Sequence, residues 1–99
     1  MITHIVSWVI NDSENESKVE RLIQMKSLLE TLPSKVPEIV KYEVGIDFNR
    51  SEAAYDIVLY STFESKEDLI AYQANLDHVE VLNYILSIMD KRVVVDYEN

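Results

Sequence analysis

The side chains best suited to proton chemistry lie in "AYQANLDHVEV", residues 71–81, where Tyr72 and His78 stand six positions apart. A histidine titrates near neutrality and can take or give a proton, while a phenol with a pKa near 10 can donate a hydrogen bond to a developing oxyanion. Together they would suit enolisation or aldol chemistry beside a carbonyl. The competing reading makes each an amphipathic core residue whose polar tip finds one partner. In one uninterrupted helix over 66–89, six steps at about 100° would set the two about 120° apart, on different faces. Asn75, however, tolerates the left-handed turn that ends a helix, and Asp77 with Glu80 repeats the spacing of a helix-starting cap. The pattern therefore predicts two helical pieces. The first carries Leu69, Tyr72, Gln73 and Leu76 inward, the second His78, Leu82, Ile85 and Met89.

The elements that would hold these groups follow from periodicity. "MITHIVSWVI" alternates, with Ile2, His4, Val6, Trp8 and Ile10 on one face and Thr3, Ile5, Ser7 and Val9 on the other, so it reads as a strand. Ser13 with Glu16 and Ser17 with Glu20 both fit a capping box. The helix that follows carries a stripe of Leu22, Met25, Leu29 and Leu32, widened by Val19, Ile23 and Leu28, and is predicted to stop at Pro33. "IVKYEVGIDF" is a second strand with Tyr42, Val44, Ile46 and Phe48 on one side, and Gly45 inside it predicts a bulge or a close backbone approach. After the turn "NRSEA" comes a third strand, "AYDIVLYSTF", forming a hairpin with the second. Ser65 to Asp68 caps the next helix. "KRVVVDYEN" supplies a fourth, β-branched strand suited to a sheet edge.

The order β-α-β-β-α-β predicts one α+β domain over residues 1–99. This is a ferredoxin-like, split β-α-β arrangement in which an antiparallel four-stranded sheet carries helices on one face. If the bulkier face of the first strand carries the helices, His4 joins Tyr72 and His78 at a pocket whose walls include Val6, Trp8, Ile57 and Leu59. The sheet's other face would still expose Ile5, Val9, Val58, Tyr60 and two or three of Val93 to Val95. A second copy of the chain is the economical cover, giving a homodimer.

Composition narrows the chemistry further. There is no cysteine, which excludes disulfides, thiolate zinc sites and thiol nucleophiles. Eighteen acidic against nine basic residues give a net charge of −9, which argues against nucleic acid or an anionic membrane surface as partner. No signal peptide or membrane-spanning run is read in the sequence, so the expected location is the cytoplasm. Two histidines without a third ligand at a recognisable spacing do not make a metal signature, and one glycine cannot build a phosphate loop. No nucleophile elbow is present, and no cofactor is expected.

The stretches "THIVSW", "SEAAYDIVLYSTFESKEDLIAYQANLDHVEV" and "RVVVDYE" resemble, in order and spacing, the stress-responsive α/β-barrel (Dabb) family over nearly the whole chain. The resemblance implies the fold inferred above, closed into a dimeric α/β barrel where two sheets meet, and a pocket for a small apolar, aromatic or keto compound. It also implies a role for particular residues. In the family's polyketide-cyclase branch an inward tyrosine and a histidine six residues later act as acid and base, and Tyr72 and His78 fall on those positions. His4 matches a histidine common in the family's first strand. The family's frequent His-Pro-x-His run reads Asn75-Leu76-Asp77-His78 here, and the cyclase branch's third-strand histidine is replaced by Ile57. Three functional readings follow: a ligand-binding homodimer, a cofactor-independent cyclase or isomerase, and a structural or protein-interaction module.

Overall fold

The computed structural model describes all of residues 1–99. Its elements are β1 (Ile2–Ile10), α1 (Lys18–Leu29), β2 (Lys41–Ile46), β3 (Ile57–Phe63), α2 (Lys66–Ala74), α3 (Leu76–Ile88) and β4 (Met89–Glu98). The sheet order is β2-β3-β1-β4 with every neighbouring pair antiparallel, the ferredoxin-like arrangement that the element order predicted. The predicted second helix is divided in two at Asn75, so three helices cover one face.

The inward face of β1 is the one expected: Ile2, His4, Val6, Trp8 and Ile10 are all buried. Ile57, Leu59, Ser61 and Phe63 of β3 join them beneath the helices. Leu22, Met25 and Leu29 of α1 face this layer, and Leu32 and Val36 plug its end from the following turns. Val19 and Ile23 do not widen the stripe as predicted, for they are exposed. At 100° per residue they fall about 90° and about 130° from the centre set by Leu22, Met25 and Leu29, beyond the buried arc. The helix also ends earlier than Pro33. Thr31 and Leu32 donate to the carbonyls of Leu28 and Leu29, a tighter turn that unwinds the α-helix after Leu29.

Helix starts are set by single side chains. Ser17 accepts from the Glu20 amide at 3.1 Å and starts α1, whereas Ser13 spends its hydroxyl on Asn15, so the first of the two predicted boxes does not form. Ser65 caps α2 through the Asp68 amide. Between α2 and α3 the bend is real but its chemistry differs from expectation. Asn75 is extended (φ −62°, ψ 134°) rather than left-handed, and its Oδ1 accepts from the Asp77 amide at 2.9 Å. One residue thus ends α2 and caps α3, and Asp77 contributes only negative charge to the first turn.

Two strand expectations are also corrected. Gly45 pairs with Val58 in unbroken register, and the bulge lies instead between Val9 and Ile10 opposite β4. Phe48 lies beyond β2, which ends at the Ile46–Ile57 pair, and its side chain is 96% exposed. The loop is pinned by Asp56, which accepts from the Ile10 amide at 2.9 Å and from the Arg50 guanidinium at 2.9 Å.

The fold leaves two features with consequences. α3 packs mainly on α1 and α2 rather than down onto the sheet, which leaves a gap above β1 and β4. On the reverse face Val58, Val93, Val95 and Tyr97 stand exposed, with no segment of the chain across them.

Candidate functional site

Strand register, rather than any contiguous motif, assembles the polar part of the gap. Tyr42 pairs with Ser61, Ser61 with His4, and His4 with Asp96, so four polar residues cross the sheet in one row on the helix-covered face. The next row on that face is apolar, Val44–Leu59–Val6–Val94, and the one after runs Ile46–Ile57–Trp8–Arg92. Tyr72 and Gln73 of α2 and His78, Val81, Leu82 and Ile85 of α3 form the roof. Between floor and roof lies a cavity of about 270 Å³. A dry cavity of about 150 Å³ accommodates benzene, so there is space for a ring bearing a side group.

His4, Val6, Trp8, Leu59, Tyr72 and His78 all border this cavity. Ile57, expected among them, does not: it is buried in the core on the far side of Trp8 from β4, and the indole stands between. Two other inward expectations fail at the roof. Leu76 is 80% exposed because it is the first residue after the Asn75 cap, pointing away from the sheet. The Gln73 side chain is exposed, although the residue borders the cavity and lends its carbonyl to His78. Sequence patterning did not place Asp96, Arg92 and Val94 at the cavity, nor Tyr42 behind Tyr72, because each depends on strand register. Alternation on β2 was the only available signal, and it put Tyr42 on one side of the strand with Val44 without saying which way that side faces.

Tyr72 is the hub. Its ring lies 4.4 Å from that of His78, 5.1 Å from Phe63 and 6.3 Å from His4, centroid to centroid. It is only 1% exposed, and its hydroxyl is 2.8 Å from the Tyr42 hydroxyl. Burial raises the Tyr72 pKa to about 12, an effect that the Tyr42 contact partly offsets. The physical reason is that a Tyr72 phenolate would accept a hydrogen bond from Tyr42. Burial, with the neighbouring phenol adding to it, drives Tyr42 higher still, so both phenols keep their protons at neutral pH.

His78 has the complementary setting. Its Nδ1–H donates to the Gln73 carbonyl at 3.1 Å, since a carbonyl can only accept, and this leaves the Nε2 lone pair free in the neutral ring. Partial burial lowers its pKa below the ordinary histidine value; the Gln73 hydrogen bond opposes this, and His4 and Arg92 reinforce it. His4 is held differently, donating from Nδ1 to the Asp96 carboxylate across the β1–β4 pair. Two titratable groups thus sit ring to ring with their equilibria pushed apart, a phenol kept protonated and an imidazole kept neutral. No three metal-ligating side chains converge here or elsewhere.

Comparison with known proteins is consistent with this geometry. Residues 2–99 match the profile of the Stress responsive A/B Barrel Domain, Dabb. The chain belongs to the Dabb family. A curated relative, the stress-response A/B barrel domain-containing protein HS1 of Arabidopsis thaliana, is 28% identical over 97 residues, covering 98% of this chain and 88% of the relative. Among solved structures, a dimeric protein of unknown function and ferredoxin-like fold from Bacteroides fragilis shares 32% identity. Its TM-score is 0.88, and the match covers 99% of this chain and 95% of that one. A dimeric ferredoxin-like protein of unknown function from Thermobifida fusca shares 26% identity at a TM-score of 0.86, covering 99% and 90% of the two chains. This Dabb domain therefore has the fold of proteins described as dimers. No helix in it is long and apolar enough to cross a membrane.

Proposed function

We propose that each subunit of a Dabb homodimer takes up one small aromatic or keto compound in the cavity between sheet and helices. His78 and Tyr72 then act on it as a cofactor-independent acid–base couple. The observation that carries this reading is that His78, whose Nε2 is free, and Tyr72, whose phenol stays protonated, line one cavity with their rings 4.4 Å apart. A carbonyl placed with its oxygen toward Tyr72 presents its α-carbon proton to His78. The imidazole takes that proton while the phenol donates to the enolate oxygen, and Tyr42 donates in turn to Tyr72. Return of the proton at another atom isomerises the compound, and attack of the enolate on a second carbonyl of the same molecule closes a ring.

A purely structural module would fill this space with side chains, so an open cavity against two titratable groups favours the ligand-binding reading. Acetophenone is a suitable probe, being a ring with one enolisable methyl ketone. In deuterium oxide the protein is expected to speed exchange of its methyl protons, followed by proton NMR. Exchange no faster than with free imidazole and phenol at equal concentration would overturn the catalytic part. Acetophenone that also leaves the Trp8 fluorescence unchanged at millimolar concentration would overturn the binding part.

The homodimer is proposed on the reverse sheet face, where Val58, Val93 and Val95 are exposed. Its support is the dimeric description of the similar proteins from Bacteroides fragilis and Thermobifida fusca. Light scattering at micromolar concentration should return twice the chain mass, and monomer alone would contradict it.

A further inference from the structure

The end of the cavity away from His4 and Asp96 carries two donors that meet no acceptor of the protein. Trp8 is 3% exposed and borders the cavity, yet its indole Nε1–H meets no acceptor in the protein. Directly across the β1–β4 pair stands Arg92, which borders the same cavity and enters none of the ion pairs or side-chain hydrogen bonds. Both groups can only donate: the indole N–H is buried and unpaired, a costly arrangement that native interiors seldom retain without a partner, while Arg92 is an exposed guanidinium at the cavity rim that no carboxylate of the chain engages. The sole carboxylate on the cavity wall, Asp96, lies four residues further along β4, about 13 Å away along the strand, and is engaged by His4. Between the two ends the floor is Val6, Leu59 and Val94. In a chain of net charge −9, this cavity end is a local exception of positive sign.

We infer that the ligand of this cavity is an anion, an aromatic or keto acid whose carboxylate lies against Arg92 and the Trp8 indole N–H while its carbonyl reaches Tyr72 and His78. The inference rests on the small-molecule reading above and deepens it by naming the ligand's charge and its orientation. A planar guanidinium with an adjacent N–H donor suits the two oxygens of a carboxylate, and the apolar row suits the ring between the carboxylate and the carbonyl. Reversing the ligand would set its carboxylate against Asp96, like charge to like.

The test uses two rigid probes of equal shape: 4-acetylbenzoate, charged at neutral pH, and 4-acetylbenzamide, neutral. Trp8 is the only tryptophan, so its emission reports the site directly, and calorimetry gives the dissociation constants. The carboxylate is expected to bind at least about tenfold more tightly than the amide, the scale of one charge-assisted hydrogen bond. Arg92→Gln should bring the two within about twofold, while Lys35→Gln, at an exposed position, keeps the wild-type ratio. Trp8→Phe keeps a ring in place and should weaken the benzoate more than the amide in calorimetry. Equal affinities in the wild-type protein, or a preference for benzoate that survives Arg92→Gln, would overturn the anion inference and leave the pocket reading standing. If neither probe, nor acetophenone, binds at millimolar concentration, the pocket reading fails and this inference with it.

Discussion

The two faces of the sheet are built from the same four strands and obey opposite rules. On the helix-covered face the residues in register are Tyr42, Ser61, His4 and Asp96: His4 and Ser61 are buried, Tyr42 is half-buried, and Asp96 is exposed at the edge strand. On the reverse face, residues an odd number of steps along the same strands include Val58, Val93 and Val95, apolar groups left in water, the last 54% exposed. Globular proteins ordinarily do the reverse, burying apolar side chains and hydrating polar ones. A polar row under helices is retained where it has hydrogen bonds to make, and an apolar face is tolerated where a partner covers it. On the proposed function, the contrast gives chemistry to one face and association to the other, with each strand serving both by alternation.

The contrast can be broken from either side. The largest effect is expected on the chemical face, where Tyr72→Phe and His78→Ala should each reduce α-proton exchange on acetophenone by about 10²–10⁴-fold in NMR, with circular dichroism unchanged. Next comes the associating face: Val95→Glu forces a carboxylate into a dry contact. It should weaken the dimer by about 3 kcal/mol or more, over a hundredfold, seen as monomer in sedimentation at micromolar concentration. If that variant stayed dimeric, association would lie elsewhere on the molecule. A smaller effect sharpens the polar row. Removing the Tyr42–Tyr72 hydrogen bond by Tyr42→Phe should cost about 1 kcal/mol in urea unfolding. The double variant with Tyr72→Phe should cost less than the sum of the two single ones.

The smallest expected effect is a pH dependence of stability from His78. Its folded pKa is depressed, so between the folded value and the ordinary value near 6.5 the unfolded chain binds more protons. The contribution is fully present above the unfolded value and is lost as pH falls through the folded one. Stability measured from neutrality downward should therefore fall less steeply in His78→Gln than in the wild type. His4, Asp96 and Arg92 border the same cavity, so the difference between the two curves, not either curve alone, is the reading.

How much of this is legible in sequence divides along the same line. Period-2 alternation placed His4, Val6 and Trp8 on the buried face, and turn chemistry gave the hairpin, because both depend on local geometry. The break between α2 and α3 was legible for the same reason, although the responsible cap is Asn75 in an extended conformation rather than a left-handed turn with Asp77. What local pattern could not supply is register. Asp96 meets His4 only because β4 pairs with β1 in one of several allowed offsets, and a slip of a single residue would turn Asp96 to the other face. Nor could it show that α3 leans on its neighbouring helices, which opens the cavity and sets Arg92 at its wall while leaving Ile57 behind Trp8. Gly45 is instructive in the other direction. A Cβ there would meet only Val58, at an ordinary 3.5 Å, so nothing within one subunit requires glycine. The residue lies on the reverse face, where a second sheet would approach.

His78 is proposed as a neutral base with a free Nε2 on the wall of a ligand cavity. Nitrogen-15 NMR of the two histidine side chains at neutral pH, during titration with acetophenone, tests it most directly. His78 is expected as the Nδ1–H tautomer with an unprotonated Nε2 whose resonance moves to a saturating limit as acetophenone is added. A His78 that is doubly protonated, or protonated at Nε2, or unmoved by the titration, would contradict it.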